Sequence, residues 1–420
     1  MKKWEFDSIN QAAKCINKWF LGTPSEPELQ LHGVSNSHLL LQNVKFCLEL
    51  MIYQQRKLER IRVMASVDKK LEVIKKQYFM DKIIPKKTAY ISKELILLVQ
   101  RRRFSFDYHE KELETEEGLQ AMYDRWRDHH KVTEKSPERF NMFKETAQHV
   151  HSHNKMNKPY KLKINKFAAM SDEEFKSTYA SNEGIGELKM SPPCFPASQD
   201  TKQIPPRMDW REKNAVTPVK ELNGIHAYLP PAVAAIESVN AIKTGQLLSL
   251  SDQQVLDCYP LNCYQTFGVF DYVKDVGIGT AESYPYKGKK ENCDKAKFGR
   301  ILVTIDGYQF VGSTECDNMK AISEQPVVFL ADAYGGPEFR SYSQGVYDGP
   351  CKGEGKVAML LVGYDEAPDG TKYWIAKSTF GESWGEKGYI RLKRTPEGIC
   401  NMYAYNLYPT KSIETRNVEL

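Results

Sequence analysis

Asp209-Trp210-Arg211-Glu212-Lys213-Asn214-Ala215-Val216-Thr217-Pro218-Val219-Lys220 leads into Glu221-Leu222-Asn223-Gly224-Ile225-His226-Ala227-Tyr228, and Ile236-Glu237 and Lys243-Thr244-Gly245 follow. Gly245 stands where a helix C-terminus takes a left-handed residue, so a helix should end at Thr244. Pro230 and Pro231 restrict its start, because proline is tolerated only in a first helical turn. Working outward, Ser251-Asp252-Gln253-Gln254 carries a capping-box pattern and opens the next helix. Val269, Phe270, Tyr272, Val273 and Val276 fall on one helical apolar face. From 327 the period changes to that of strands, predicted over Val327–Ala331, Val357–Tyr364, Tyr373–Ser378 and Gly388–Lys393. Helices first and strands afterwards give the α+β class.

Upstream lie three further stretches. Residues 105–180 begin with a charged helical run, Glu112 to Gly118, that continues through Tyr123, Trp126 and His130. Tyr160 to Phe167 alternates as a short strand should, and Ser171 with Glu174 makes a second capping box. Residues 181–204, with Gly184, Gly186, Pro192, Pro193 and Pro196, read as a linker. Residues 1–104 place Leu48, Met51, Ile52, Leu58, Ile61, Leu71, Ile74 and Tyr78 near helical spacing and carry no identifiable chemistry. Near their start, Thr23 and Glu26 fit a capping box, but Pro27 makes a turn the expectation there.

With 420 residues, 41% of them apolar, the chain can bury the cores of two or three domains. Its net charge of +5 is unevenly spread. Residues 1–104 hold 20 Lys and Arg against 10 Asp and Glu, which leaves 39 basic against 44 acidic residues in the remainder. The extra positive charge alternates with apolar residues, as on a solvated helix, and forms no block suited to nucleic acid. No run is long and apolar enough for a membrane span, and Met1 to Phe20 lacks the apolar core of a secretion signal. Nine cysteines are present: Cys15, Cys47, Cys194, Cys258, Cys263, Cys293, Cys316, Cys351 and Cys400. Six lie from Cys258 onward, as in a chain destined for an oxidising compartment.

The Asp209–Lys220 frame, Ile236-Glu237 and Lys243-Thr244-Gly245 resemble the papain-like cysteine proteases, in particular the plant, vignain-like forms with an endoplasmic-reticulum retention tail. Arg139, Phe143, Val150 and Asn154 match the helical signature of their inhibitory propeptides, and Asn165 and Phe167 match the motif that follows. Lys135, Thr146 and Ala169 depart from those patterns. The resemblance implies a papain-like two-domain fold, helical domain plus β-barrel-like domain. It divides the chain into a basic helical extension (1–104), an inhibitory-type propeptide (105–180), a linker (181–204), a peptidase domain (205–410) and a tail (411–420). It implies disulfides Cys258–Cys293 and Cys351–Cys400, and it leaves Cys263 an unpaired thiol, because the family's partner position holds Gly224. Cys316 has no family partner and is expected at the surface. The last four residues, Asn417 to Leu420, are only weakly like a retention signal.

A cysteine protease needs a thiolate, a histidine to hold its proton, a group that orients the histidine, and donors for the oxyanion. The positions that match the family's Cys, His and Asn are Ala227, Val357 and Ser378, and Leu222 stands at the side-chain oxyanion donor. No histidine follows His226, and the substrate-pairing segment has become Cys263-Tyr264-Gln265-Thr266. Trp210, Gly245, Pro326, Gly363, Trp374, Gly381, Trp384, Gly385, Gly388 and Tyr389 keep the framework. The expectation is therefore a protease homologue without catalysis that binds a peptide or protein, including other papain-like proteases. The rival is an active cysteine-type endopeptidase whose nucleophile segment is mis-specified. No cofactor, metal, nucleic acid or membrane span is expected, and the chain should be monomeric. The resemblance implies the secretory pathway, the vacuole or the extracellular space.

Overall fold

The structure is a computed structural model that describes residues 106–180, 204–222, 229–259, 266–332, 336–351, 356–413 and 418–419. The basic extension 1–104 and almost all of the linker lie outside the described residues.

Two helices open the described chain, α1 (Glu116–His130) and α2 (Pro137–Lys155). Thr115 and Ser136 cap them through side-chain oxygens that accept from Gly118 and Arg139 N–H. Leu119, Met122, Tyr123 and Trp126 on α1 meet Phe143, Ala147 and Val150 on α2 in one buried cluster. Strand β1 is only Tyr160–Leu162, shorter than the predicted run to Phe167. Asn154 closes its outer edge: the side chain donates to the Leu162 carbonyl at 2.8 Å and accepts from the Leu162 N–H at 2.9 Å. Helix α3 (Asp172–Tyr179) follows, with the Ser171–Glu174 capping box closed in both directions.

After β2 (Met208–Asp209) come α4 (Leu229–Thr244), α5 (Asp252–Cys258) and α6 (Thr266–Val276). Pro230 and Pro231 lie in the first turn of α4, and Gly245 follows its end with φ +75°. The capping box at Ser251 is half formed: Ser251 accepts from Gln254 N–H, but the Gln254 side chain instead bonds Tyr272, Gly277 and Gly279. Val276 is 42% exposed, because it ends α6 and Gly277 turns the chain away. The other four residues of its predicted face are buried.

The second half contains β3 (Ile301–Leu302), β4 (Gly307–Phe310), α7 (Glu315–Glu324), β5 (Val327–Ala331), α8 (Pro337–Ser341), β6 (Tyr342–Tyr347), β7 (Val357–Glu366), β8 (Lys372–Lys377), β9 (Tyr389–Lys393), β10 (Leu407–Thr410) and β11 (Val418–Glu419). The main sheet runs β1-β6-β9-β8-β7-β5-β10-β4, with β2 on β7; β11 pairs with β3 separately. Its central strands alternate between two cores, as a pleat requires. Val327, Phe329 and Ala331 with Val357, Met359 and Leu361 enter one buried cluster. Val328 and Leu330 with Ala358, Leu360 and Val362 enter the other, where α4, α5 and α6 pack. Strand β6 escapes sequence reading because Ser343, Gln344 and Gly345 interrupt any apolar alternation. No helix among the described residues is long and apolar enough to cross a membrane.

Candidate functional site

Lys220 enters the site as a half-buried cation. Its Nζ donates to Glu237 Oε1 (2.8 Å), Asp252 Oδ2 (2.7 Å) and the Leu250 carbonyl (2.9 Å). Glu237 and Asp252 are themselves buried, and the Lys377 ammonium lies nearby, donating to Thr217 Oγ1 at 2.9 Å. Burial lowers Lys377 to about 8, against the opposing pull of Glu237. These charges tie the segment before the site to α4, α5 and β8.

Past Lys220, Glu221 bridges to Phe380 and the Leu222 N–H reaches the Thr379 carbonyl at 3.4 Å. Leu222 is buried. Gly224, His226, Ala227 and Tyr228 lie outside the described residues, which resume at Leu229 with α4. Pairing of Leu360 with Lys377 places the start of β7 and the end of β8 at the same sheet end. Val357 and Ser378 stand there. Val357 is 1% exposed and sits opposite Ala331 on the apolar face of β7. Ser378 is equally buried; its hydroxyl donates to the Gly388 carbonyl at 2.8 Å and accepts from Phe380 N–H at 3.3 Å. A valine carries no exchangeable proton, and this serine is engaged with backbone.

Cys258 is bonded to Cys293 and Cys351 to Cys400. Cys263 falls outside the described residues, and Thr266 opens α6. Cys316 is an exposed free thiol, as expected, although it lies on the first turn of α7.

The segment before residue 181 docks directly on the body. β1 adds to β6 antiparallel, and Lys163 N–H donates to the Ser341 carbonyl at 2.7 Å. Gly345 permits this approach: its φ is +95°, and a Cβ there would sit 2.2 Å from the Pro159 carbonyl oxygen. Asn165 donates to the Arg340 carbonyl at 2.6 Å and accepts from Phe167 N–H at 2.9 Å. Phe167, Phe175 and Tyr179 surround Phe380 with ring centroids 5.4–5.7 Å away, and Trp384 lies 4.9 Å from the same ring. Lys166 pairs with Glu221 at 2.7 Å, and Arg340 pairs with Asp172 at 2.7 Å. The docked segment therefore touches Glu221, next to Leu222, and Phe380, two residues past Ser378.

The profile of the papain family cysteine proteases matches residues 204–410, and that of the cathepsin propeptide inhibitor domain matches residues 123–175. A cysteine protease of Ambrosia artemisiifolia, Amb a 11.0101, is 44% identical over 325 residues, covering 73% of this chain and 83% of its own. The chain belongs to the papain family. Vignain of Vigna mungo is 40% identical, with 73% and 90% covered. The crystal structure of the Amb a 11 proform superposes with a TM-score of 0.68 at 43% identity, over 73% of this chain and 99% of that one. The recombinant stem bromelain precursor gives 0.64 at 32% identity, over 71% and 99%. These matches give the docked N-terminal segment its identity as a family propeptide and the body its papain-like two-domain fold.

Several groups escaped the sequence reading. Lys220, Glu237, Asp252 and Lys377 come together from four separate segments, with only their charge as a signal. His149 and His153 share a helix face at a spacing of four residues, and Glu338 from α8 joins them; their ligand atoms all lie within 4.8 Å of one another. The histidine spacing was legible, but Glu338, far along the chain, was not.

Proposed function

We propose that this papain-family protein has lost peptide hydrolysis and acts by binding a peptide or protein. Val357 carries the reading. It stands at the position that matches the family's histidine, its side chain is packed into apolar surroundings at 1% exposure, and no histidine follows His226. Ala227 at the nucleophile position, Ser378 at the asparagine position and Leu222 at the oxyanion position support it. Removing the reacting core of a comparable catalytic unit costs on the order of 10⁶ in turnover, and what survives depends on the oxyanion hole.

On this reading residues 105–180 serve as an inhibitory-type prodomain, residues 181–204 as a linker that another protease must cut, and residues 205–410 as the binding body. Cys263 stays an inert thiol. The prodomain is an alternative binding element, since its docking contacts suit the cleft of a related protease. The test is to treat the full chain with an added protease that cuts the linker, then measure peptide hydrolysis and labelling by a thiol-reactive probe. No hydrolysis is expected. Hydrolysis abolished by Cys263→Ala would establish the rival, an active endopeptidase. Capture of active papain-like proteases by the intact chain would assign the binding role to the prodomain, and capture of peptides by the cut form would assign it to the body.

A further inference from the structure

His149 and His153 are four residues apart on α2, one turn of the prodomain's long helix, so both rings emerge on one face. Glu338 reaches them from α8 of the peptidase body. The His149 Nε2 is buried and makes no hydrogen bond among the described residues. Glu338 Oε1 is 3.7 Å from it, beyond hydrogen-bond range. The arrangement is thus two imidazoles and one carboxylate converging across the prodomain–body boundary, with the His149 Nε2 left without a partner among the described residues.

We propose that His149, His153 and Glu338 form a zinc(II) site that clamps the prodomain to the peptidase body. Two imidazole nitrogens with one carboxylate suit zinc, and they argue against calcium or magnesium, which take oxygen ligands. Zinc bonds of about 2.0–2.2 Å set ligand atoms roughly 3.4 Å apart in a tetrahedron, so the observed 4.8 Å closes by side-chain rotation. A fourth position remains for water. Outer contacts are already present: the Tyr160 hydroxyl donates to Glu338 Oε2 at 2.5 Å, and the Tyr160 carbonyl lies 3.3 Å from His153 Nε2. His149 is 35% and Glu338 22% exposed at the side chain, which leaves an entry path.

This site lies apart from Leu222, Val357 and Ser378 and would act on prodomain release, whether or not the body hydrolyses peptides. Its test is zinc titration of the chelator-stripped full chain, followed calorimetrically, with cobalt(II) as the spectroscopic substitute. One zinc site is expected that weakens at least tenfold in both His149→Ala and Glu338→Gln, given that even outer contacts are worth about 10–100-fold. Glu338→Gln keeps an acceptor for Tyr160, so it reports on ligation even if His149→Ala misfolds. Bound cobalt should give the intense bands of a tetrahedral site, and zinc should slow proteolytic removal of the prodomain in the wild type only. Zinc affinity equal in the wild type and both variants, or absent from all three, would overturn the proposal.

Discussion

The Ser378 hydroxyl donates to the Gly388 carbonyl 2.8 Å away, and the Ser378 N–H donates to the same oxygen at 2.9 Å. Together these bonds fasten the end of β8 to the residue ahead of β9. Gly388 itself has no room for a side chain, since a Cβ there would lie 2.5 Å from Val219 Cγ1. Ser378 is thus held as a framework residue, and on the proposed reading it fills the position from which an active family member would orient an imidazole. Ser378→Ala should cost about 1 kcal/mol, the scale of one net hydrogen bond. Ser378→Asn should cost about 1–3 kcal/mol by overpacking a site that is 1% exposed. Urea midpoints at constant slope measure both.

Lys220 bonds two buried carboxylates. Lys220→Met leaves Glu237 and Asp252 buried without their cation, at a cost of about 3–5 kcal/mol. The double variant that also carries Glu237→Gln should recover part of the loss. A urea series that finds Lys220→Met as stable as the wild type would contradict this role.

Lys377 should contribute stability that grows on the alkaline side. Burial lowers it from 10.5 to about 8, so between those values the unfolded chain binds the proton that the folded chain has released. The contribution of Lys377 to stability therefore increases with pH across that window, while tyrosines raised by burial act the other way near its upper end. Lys163, lowered by burial to about 8 as well, contributes in the same direction as Lys377. Lys377→Met should flatten the slope without abolishing it, as read from thermal midpoints at a series of pH values.

Acid should loosen the prodomain through Glu174. Both Glu174 oxygens accept from Arg139, and one also accepts from the Ser171 N–H at 2.9 Å. Partial burial raises this carboxyl, but the Arg139 and Ser171 bonds outweigh it and hold it below 4.5. The stabilisation is complete above the ordinary value and is lost as pH falls through the lower one. Arg139→Met should cost about 1.5–3 kcal/mol, the range for bonds to a charged group, and should speed proteolysis of the prodomain at neutral pH.

Much of this fold was written in local pattern. Val327–Ala331 is a strand with the predicted bounds, and the prolines of α4 and the Ser171–Glu174 box stand where the sequence put them. Local pattern failed where long-range bonds decide. Asn154 closes the outer edge of β1 with its side chain, Gln254 leaves its capping box for Tyr272 and Gly279, and β6 lies between the prodomain strand and β9. For the site, Val357 and Ser378 could be named from sequence, but their surroundings could not. Apolar packing around Val357 and the Gly388 bond of Ser378 depend on strand register. Ala227 and Cys263 lie outside the described residues, so their part rests on sequence alone.

The central claim, absence of hydrolysis, meets its most direct test in a single assay. The full chain is incubated at mildly acidic pH, its linker is cut by an added protease that is then inactivated, and release from a fluorogenic peptide is followed beside labelling by a thiol-directed active-site probe. No cleavage of the linker is expected before the added protease acts, no turnover afterwards, and no probe adduct dependent on an intact fold. Turnover with a probe adduct on the chain, both removed by Cys263→Ala, would contradict it.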